Sequence, residues 1–261
     1  MKISKIYLYD EPSIPEIKIS KLADFVEKTF SIDTVIRKNI FQNADKTLAR
    51  HLVSCRIINT KKPFEFHSAS IEEIEFEKES FKNSSKIKNI VMYDGFELQK
   101  LVSSLISEDE KSLDNFHIIF TNRLTCTYDS DDYRYHGRAI ICSNPSIIST
   151  TGIIEAPAKP REYYMELISN MAQGLNVDSL KKKFQGSYLE YHDERISTVI
   201  EGYVMQALFY YLTGEPFCEN ENCRLFNPHW QKDLLHSQIE IGKLCEKHQK
   251  ILEKLVFDLN S

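Results

Sequence analysis

No stretch of the 261-residue chain holds about 18 consecutive apolar residues, so no helix is expected to cross a membrane. A basic excess is missing too. The net charge is −5, whereas nucleic-acid-binding domains usually carry surplus lysine and arginine, so no nucleic-acid partner is expected. The run Lys181-Lys182-Lys183 reads as a solvated helix face. The N-terminal residues lack the long apolar segment and small-residue cleavage site of a secretory signal, and a cytoplasmic location is expected. There is no linker rich in proline, glycine and serine, and no repeat. Residues 1–261 are therefore expected to form a single domain. Disulfides are not expected from the six cysteines, because a chain of this length does not need them and a reducing compartment would not keep them.

The patterns that are present order the chain as strands first and helices later. "SKIYLYD" and "DTVIRKNIF" read as strands around a helix with apolar residues at Ile17, Leu22, Phe25, Val26 and Phe30. "KTLARHLVSCRI" reads as a helix and "FEKESFKNSSKIK" as a polar loop. "KNIVMYDGFELQKLVSSLI" gives a strand, a turn and a helix, while "NFHIIFTNRL" and "GRAIICSNPSIIST" suit buried strands flanking a polar loop, "TYDSDDYRYH". "ERISTVIEGYVMQALFYYLTG" is the clearest helix, closed by Gly214 with Pro216 soon after. This order predicts an α/β (α+β) fold on a mixed sheet with a helical C-terminal part. Cys55, Cys126 and Cys142 are expected to be buried thiols.

The other three cysteines cluster. Cys218-x4-Cys223 and Cys245-x2-His248 make two ligand pairs, the second on one helical face. A structural zinc takes four thiolate or imidazole ligands in a tetrahedron, and a pair on a turn plus a pair on a helix can supply them. One structural zinc ion is expected in the subregion 213–250. His229 and His236 are alternatives to His248 as fourth ligand. Trp230 is read as a packing anchor beside this loop.

At these residues the chain resembles the archaemetzincins, zinc metalloproteases of the metzincin clan. Their pattern runs His-Glu-x-x-His-x-x-Gly-x3-Cys-x4-Cys-x-Met and ends in Cys-x-x-Cys. Gly214, Cys218 and Cys223 keep that spacing, Leu225 stands in the Met place, and Cys245-x2-His248 replaces the last pair two residues late. The resemblance implies a zincin-like (metzincin-like) fold with a retained structural zinc. It does not imply a peptidase, because the places of the His-Glu-x-x-His residues fall on Ala207, Leu208 and Tyr211, and that of the third ligand near Phe217. Alanine, leucine and phenylalanine offer no donor to a metal, and neutral tyrosine is a poor one.

Other polar residues lie where a replacement site would be. His136, Glu155 and His192 would make a relocated metal or acid–base centre if they converged. Arg138, Lys159 and Arg161 would hold a small anionic ligand. The plainer expectations are an Arg138–Glu155 ion pair, a satisfied structural His136, and helix capping by Asp193 or Ser187. Asp129, Asp131 and Asp132 lack the glycine and distal glutamate of a calcium loop and read as a solvated acidic loop. Three functions follow from the sequence. The first is a zinc-stabilised binding or regulatory module that has lost peptidase action and takes a protein or peptide partner. The second is a metal-dependent hydrolase with a relocated centre. The third is a binder of a small anion.

Overall fold

The computed structural model describes residues 3–82, 90–176 and 178–260. Its main sheet has the order β2-β1-β4-β8-β7. Strands β1 (Lys5–Tyr9), β2 (Asp33–Arg37), β4 (Asn115–Thr121) and β8 (Ser146–Ser149) run parallel, and β7 (Ile140–Ile141) closes one edge antiparallel to β8. The inner strands read as near-continuous apolar runs because both of their faces are covered. Alternate residues divide between the two faces. Ile6, Leu8, Phe116, Ile118 and Phe120 enter the main core, while Tyr7, Tyr9, Ile119 and Ile147 enter a second one.

Two helices dominate the main core. In α1 (Ile19–Phe30), Leu22, Ala23, Val26 and Phe30 form one buried stripe. Helix α8 (Ile196–Thr213) is apolar on nearly all sides and buried from Val199 through Phe209, apart from a half-buried Glu201. It stops where Gly214 takes a left-handed conformation (φ 83°) and donates its N–H to the Tyr210 carbonyl at 2.7 Å. The opposite face of the sheet is covered by α2 (Lys46–Ser54) and α4 (Gly95–Leu105), the latter capped by the Asp94 carboxylate on the N–H groups of Phe96 and Glu97.

A second sheet, β3-β5-β6, is built from Met92–Asp94, Leu124–Asp129 and Arg134–Arg138. The stretch "TYDSDDYRYH" is thus not a loop but mostly a β-hairpin. Its aromatic residues are the reason: Tyr128 and Tyr135 are direct cross-strand partners with ring centroids 5.3 Å apart. The polar loop expected at "FEKESFKNSSKIK" is also corrected, since Phe76–Lys82 belongs to α3 (Ile71–Lys82); the remainder of that stretch lies outside the described residues. Helix α3 buries a carboxylate. Glu77 is bonded by Arg56 (2.6 Å), the Tyr93 hydroxyl (2.5 Å) and Arg123 (3.3 Å). Burial pushes the Glu77 carboxyl up, but Arg123, Tyr93 and Arg56 outweigh it and hold it below the usual carboxylate range.

The helical third continues with α5 (Thr150–Glu155), α6 (Arg161–Ala172) and α7 (Asp178–Lys183) before α8. In α7, Lys182 and Lys183 are exposed, whereas the Lys181 side chain lies outside what is described. After α8 come α9 (Gln231–Leu235), a π-helical turn (His236–Ile241) and α10 (Glu246–Asn260). The architecture is the mixed α+β arrangement expected. Among the described residues no helix is long and apolar enough to cross a membrane.

Candidate functional site

The turn after α8 and the start of α10 bring Cys218, Cys223, Cys245 and His248 together, each offering one ligand atom within 4.8 Å of the others. The Cys218 and Cys245 sulfurs are 3.9 Å apart. Nδ1 of His248 is 3.7 Å from Cys223 Sγ and 3.2 Å from Cys245 Sγ. A tetrahedral zinc with ordinary Zn–S and Zn–N bonds needs S···S edges of about 3.8 Å and S···N edges of about 3.6 Å. The donor set and spacing therefore fit zinc. Backbone N–H groups support two of the sulfurs, with Asn220 donating to Cys218 Sγ and Cys245 to Cys223 Sγ, each at 3.4 Å. Such outer bonds orient metal-binding thiolates and temper their charge.

Cys223 and His248 are buried, whereas Cys218 and Cys245 are half-buried. Burial pushes the Cys223 thiol up to about 12. Burial also acts to raise Cys245, but the His248 backbone N–H and the Cys223 and Cys218 thiols bring it below its ordinary value. Burial, then Lys247, lowers His248 and keeps its imidazole neutral, the form that ligates. Neither alternative histidine joins the group. Both ring nitrogens of His236 are engaged, by Glu240 at 2.7 Å and Asn222 at 2.9 Å, and His229 lines a separate cleft. Cys55 and Cys126 are buried as expected, whereas Cys142 is half-buried; all three stand apart from the cluster, their thiols pushed up to about 12 by desolvation.

The helix places where a His-Glu-x-x-His motif would carry its ligands are closed. Ala207 and Leu208 are fully buried. Tyr211 stacks on Phe116 with centroids 4.5 Å apart and donates its hydroxyl to the Leu113 carbonyl at 2.5 Å. Beside this helix lies a cleft of about 440 Å³. Tyr203 and Tyr210 of α8 line one side, the edge strand Ile140–Ile141 with Arg138 another, and Phe217 and His229 from the knuckle loop a third. Sequence reasoning missed this cleft. The available signal was the seven-residue spacing of Tyr203, Tyr210 and Phe217, which puts the two tyrosines on one helical face.

The relocated centre is not assembled. Among the described residues no ligand group unites His136, Glu155 and His192. His136 instead joins Asp129 and Asp132 on the β5–β6 hairpin, a group in which the exposed Asp132 accepts from His136 at 3.0 Å and from Arg134 at 2.6 Å. His192, in a left-handed turn (φ 65°), contacts Glu16 at 3.1 Å, and Glu155 is hydrogen-bonded to Tyr191. The expected anion cradle is not gathered either. Lys159 lies over the Tyr163 and Tyr188 rings and Arg161 over Trp230, at 5.4 Å from its centroid, which leaves Arg138 alone in the cleft. Arg138 makes no ion pair with Glu155; its Nε donates to Thr127 Oγ1 at 2.7 Å. Asp193 accepts from the Arg195 backbone and side chain just ahead of α8, and Ser187 bonds the Phe184 carbonyl.

No curated protein matches the chain. A solved structure with a related course is a zinc-dependent peptidase from Methanocorpusculum labreanum (strain Z), 10% identical, covering 95% of this chain and 99% of that one with a TM-score of 0.42. A family model, described as a probable metallopeptidase family (DUF6775), matches residues 2–255. Because that match spans nearly the whole chain, this protein belongs to the probable metallopeptidase family DUF6775.

Proposed function

We propose that the protein is a catalytically silent member of its family, clamped by one structural zinc, that binds an extended peptide in the cleft beside α8. The observation that carries this reading is the contrast along one helix. Ala207 and Leu208 are buried apolar side chains where a peptidase needs ligands and a base, yet space stays open beside Tyr203 and Tyr210 of the same helix, at a sheet edge. Among the described residues strand β7 is paired with β8 alone, so its other side is open to an added strand. Kinship with archaemetzincins is the finer part of the proposal and rests on the Gly214, Cys218, Cys223 spacing.

Cys218, Cys223, Cys245 and His248 would hold the zinc, which would fasten the loop after α8 to α10 and supply folding energy rather than chemistry. The role is regulatory or adaptor-like, and its place is the cytoplasm. The test is elemental analysis of protein isolated without added metal, beside Cys218→Ser, with a fluorogenic peptide library as substrate. One zinc per chain, lost in the variant, and no cleavage are expected. A second metal that survives Cys218→Ser, or cleavage that does so, would overturn the proposal.

A further inference from the structure

The cleft has a chemical asymmetry. Phe96, Ile140, Ile141, Tyr203, Tyr210 and Phe217 give it apolar walls, and among the described lining residues Arg138 is the one lysine or arginine, with no aspartate or glutamate. Arg138 is held by a single side-chain bond, Nε to Thr127 Oγ1 at 2.7 Å. Among the described residues its two terminal nitrogens have no hydrogen-bond partner and no carboxylate within ion-pairing distance. A guanidinium fixed through Nε and open at both Nη atoms presents the fork that receives a carboxylate by two parallel bonds. Lys159 and Arg161 lie over aromatic rings elsewhere and leave this charge to Arg138.

Arg138 also has a place in the chain that gives direction. It ends β6, and the free edge strand begins two residues later at Ile140. A peptide paired antiparallel along β7 would bring its C-terminal end toward Arg138. A volume of about 440 Å³ takes a small ligand or the last one or two residues of an extended peptide whose remainder lies along the sheet edge outside it.

We propose that the cleft recognises a free carboxylate next to an apolar side chain, the carboxylate held by Arg138 and the side chain by Tyr203, Tyr210 and Phe217. The peptide form of this ligand, a chain's C-terminus, rests on the function proposed above. A small aryl-alkanoic acid carries the same chemistry.

The experiment uses the full chain and three probes: fluorescently labelled Ala-Ala-Leu-Phe with a free carboxylate, the same peptide amidated, and 3-phenylpropanoate as competitor. Peptide binding is read by fluorescence anisotropy and phenylpropanoate binding by isothermal titration calorimetry, each for the unaltered protein and Arg138→Gln. The free acid is expected to bind about tenfold to a hundredfold tighter than the amide, the usual range for a hydrogen bond to a charged group, and Arg138→Gln is expected to abolish the difference. Equal binding of acid and amide overturns the carboxylate claim and leaves the peptide reading standing. Arg138-dependent binding of phenylpropanoate without either peptide upholds the carboxylate and overturns the peptide. Binding of no probe overturns both. If Arg138→Gln fails to fold, the acid–amide comparison on the unaltered protein decides alone.

Discussion

Stripping metal from the protein is expected to lower its melting temperature by about 7 °C. The magnitude follows from the site and the chain length. Four donors within 4.8 Å of one another form a site that an unfolded chain lacks, so the ion binds the folded state selectively. With free zinc at about 1,000 times its dissociation constant, such selective binding stabilises by about 4.1 kcal/mol. Unfolding entropy scales at about 2.1 cal/mol/K per residue, or roughly 0.55 kcal/mol/K for 261 residues. Dividing the first by the second gives the shift. The assay is differential scanning calorimetry before and after chelation, with elemental analysis to show that metal has gone and a zinc add-back to show reversal. Cys223→Ser, which removes a fully buried ligand, should lower the melting point without chelator and respond little to it. An unchanged melting temperature after demonstrated complete removal would refute the clamp.

Three further outcomes are expected. Gly152→Ala should destabilise by about 3 kcal/mol, measured by urea denaturation, because an added Cβ would sit 2.1 Å from the Arg138 carbonyl oxygen and 3.0 Å from Ala139 Cα, both backbone atoms. Glu77→Gln should cost about 3–5 kcal/mol by leaving the buried Arg123 without its anion. The Glu77 carboxyl is depressed in the folded state, so its contribution is present above the unfolded value near 4.3 and is lost as pH falls through the folded value. Denaturation curves should therefore show the unaltered protein losing more stability on acidification than Glu77→Gln does.

The features legible in the sequence were those that depend on neighbours along the chain. Helix α8 was visible because its apolar residues are consecutive and Gly214 ends it locally. The cluster of Cys218, Cys223, Cys245 and His248 was legible because each pair is close in sequence and only one distance, between the pairs, had to be supplied by folding. Helix α3 hid its character because its charged Glu77 is a buried residue, made tolerable by Arg56 and Arg123 from elsewhere. Tyr128 and Tyr135 meet across a hairpin that the polar residues between them disguised as a loop. His136, Glu155 and His192 illustrate the limit most directly: suitable residue types say nothing about convergence. Here each finds a different partner, respectively Asp132, Tyr191 and Glu16. The cleft was invisible for the same reason, since Phe96, Arg138, Tyr210 and Phe217 come from separate segments.

Phe217 and Cys218 are adjacent residues with different duties, one lining the cleft and the other in the metal group. On the return path, Cys223 precedes Asn227, Pro228 and His229, which line the same cleft. With the proposed ion and ligand both bound, a single loop would serve two equilibria. If the ion sharpens the shape of that loop, it raises the cleft's affinity for its ligand by some factor, and the ligand must tighten the ion by the same factor. Zinc occupancy would then be a readout of cleft occupancy, and a cell short of zinc would find the cleft weakened before the fold is lost.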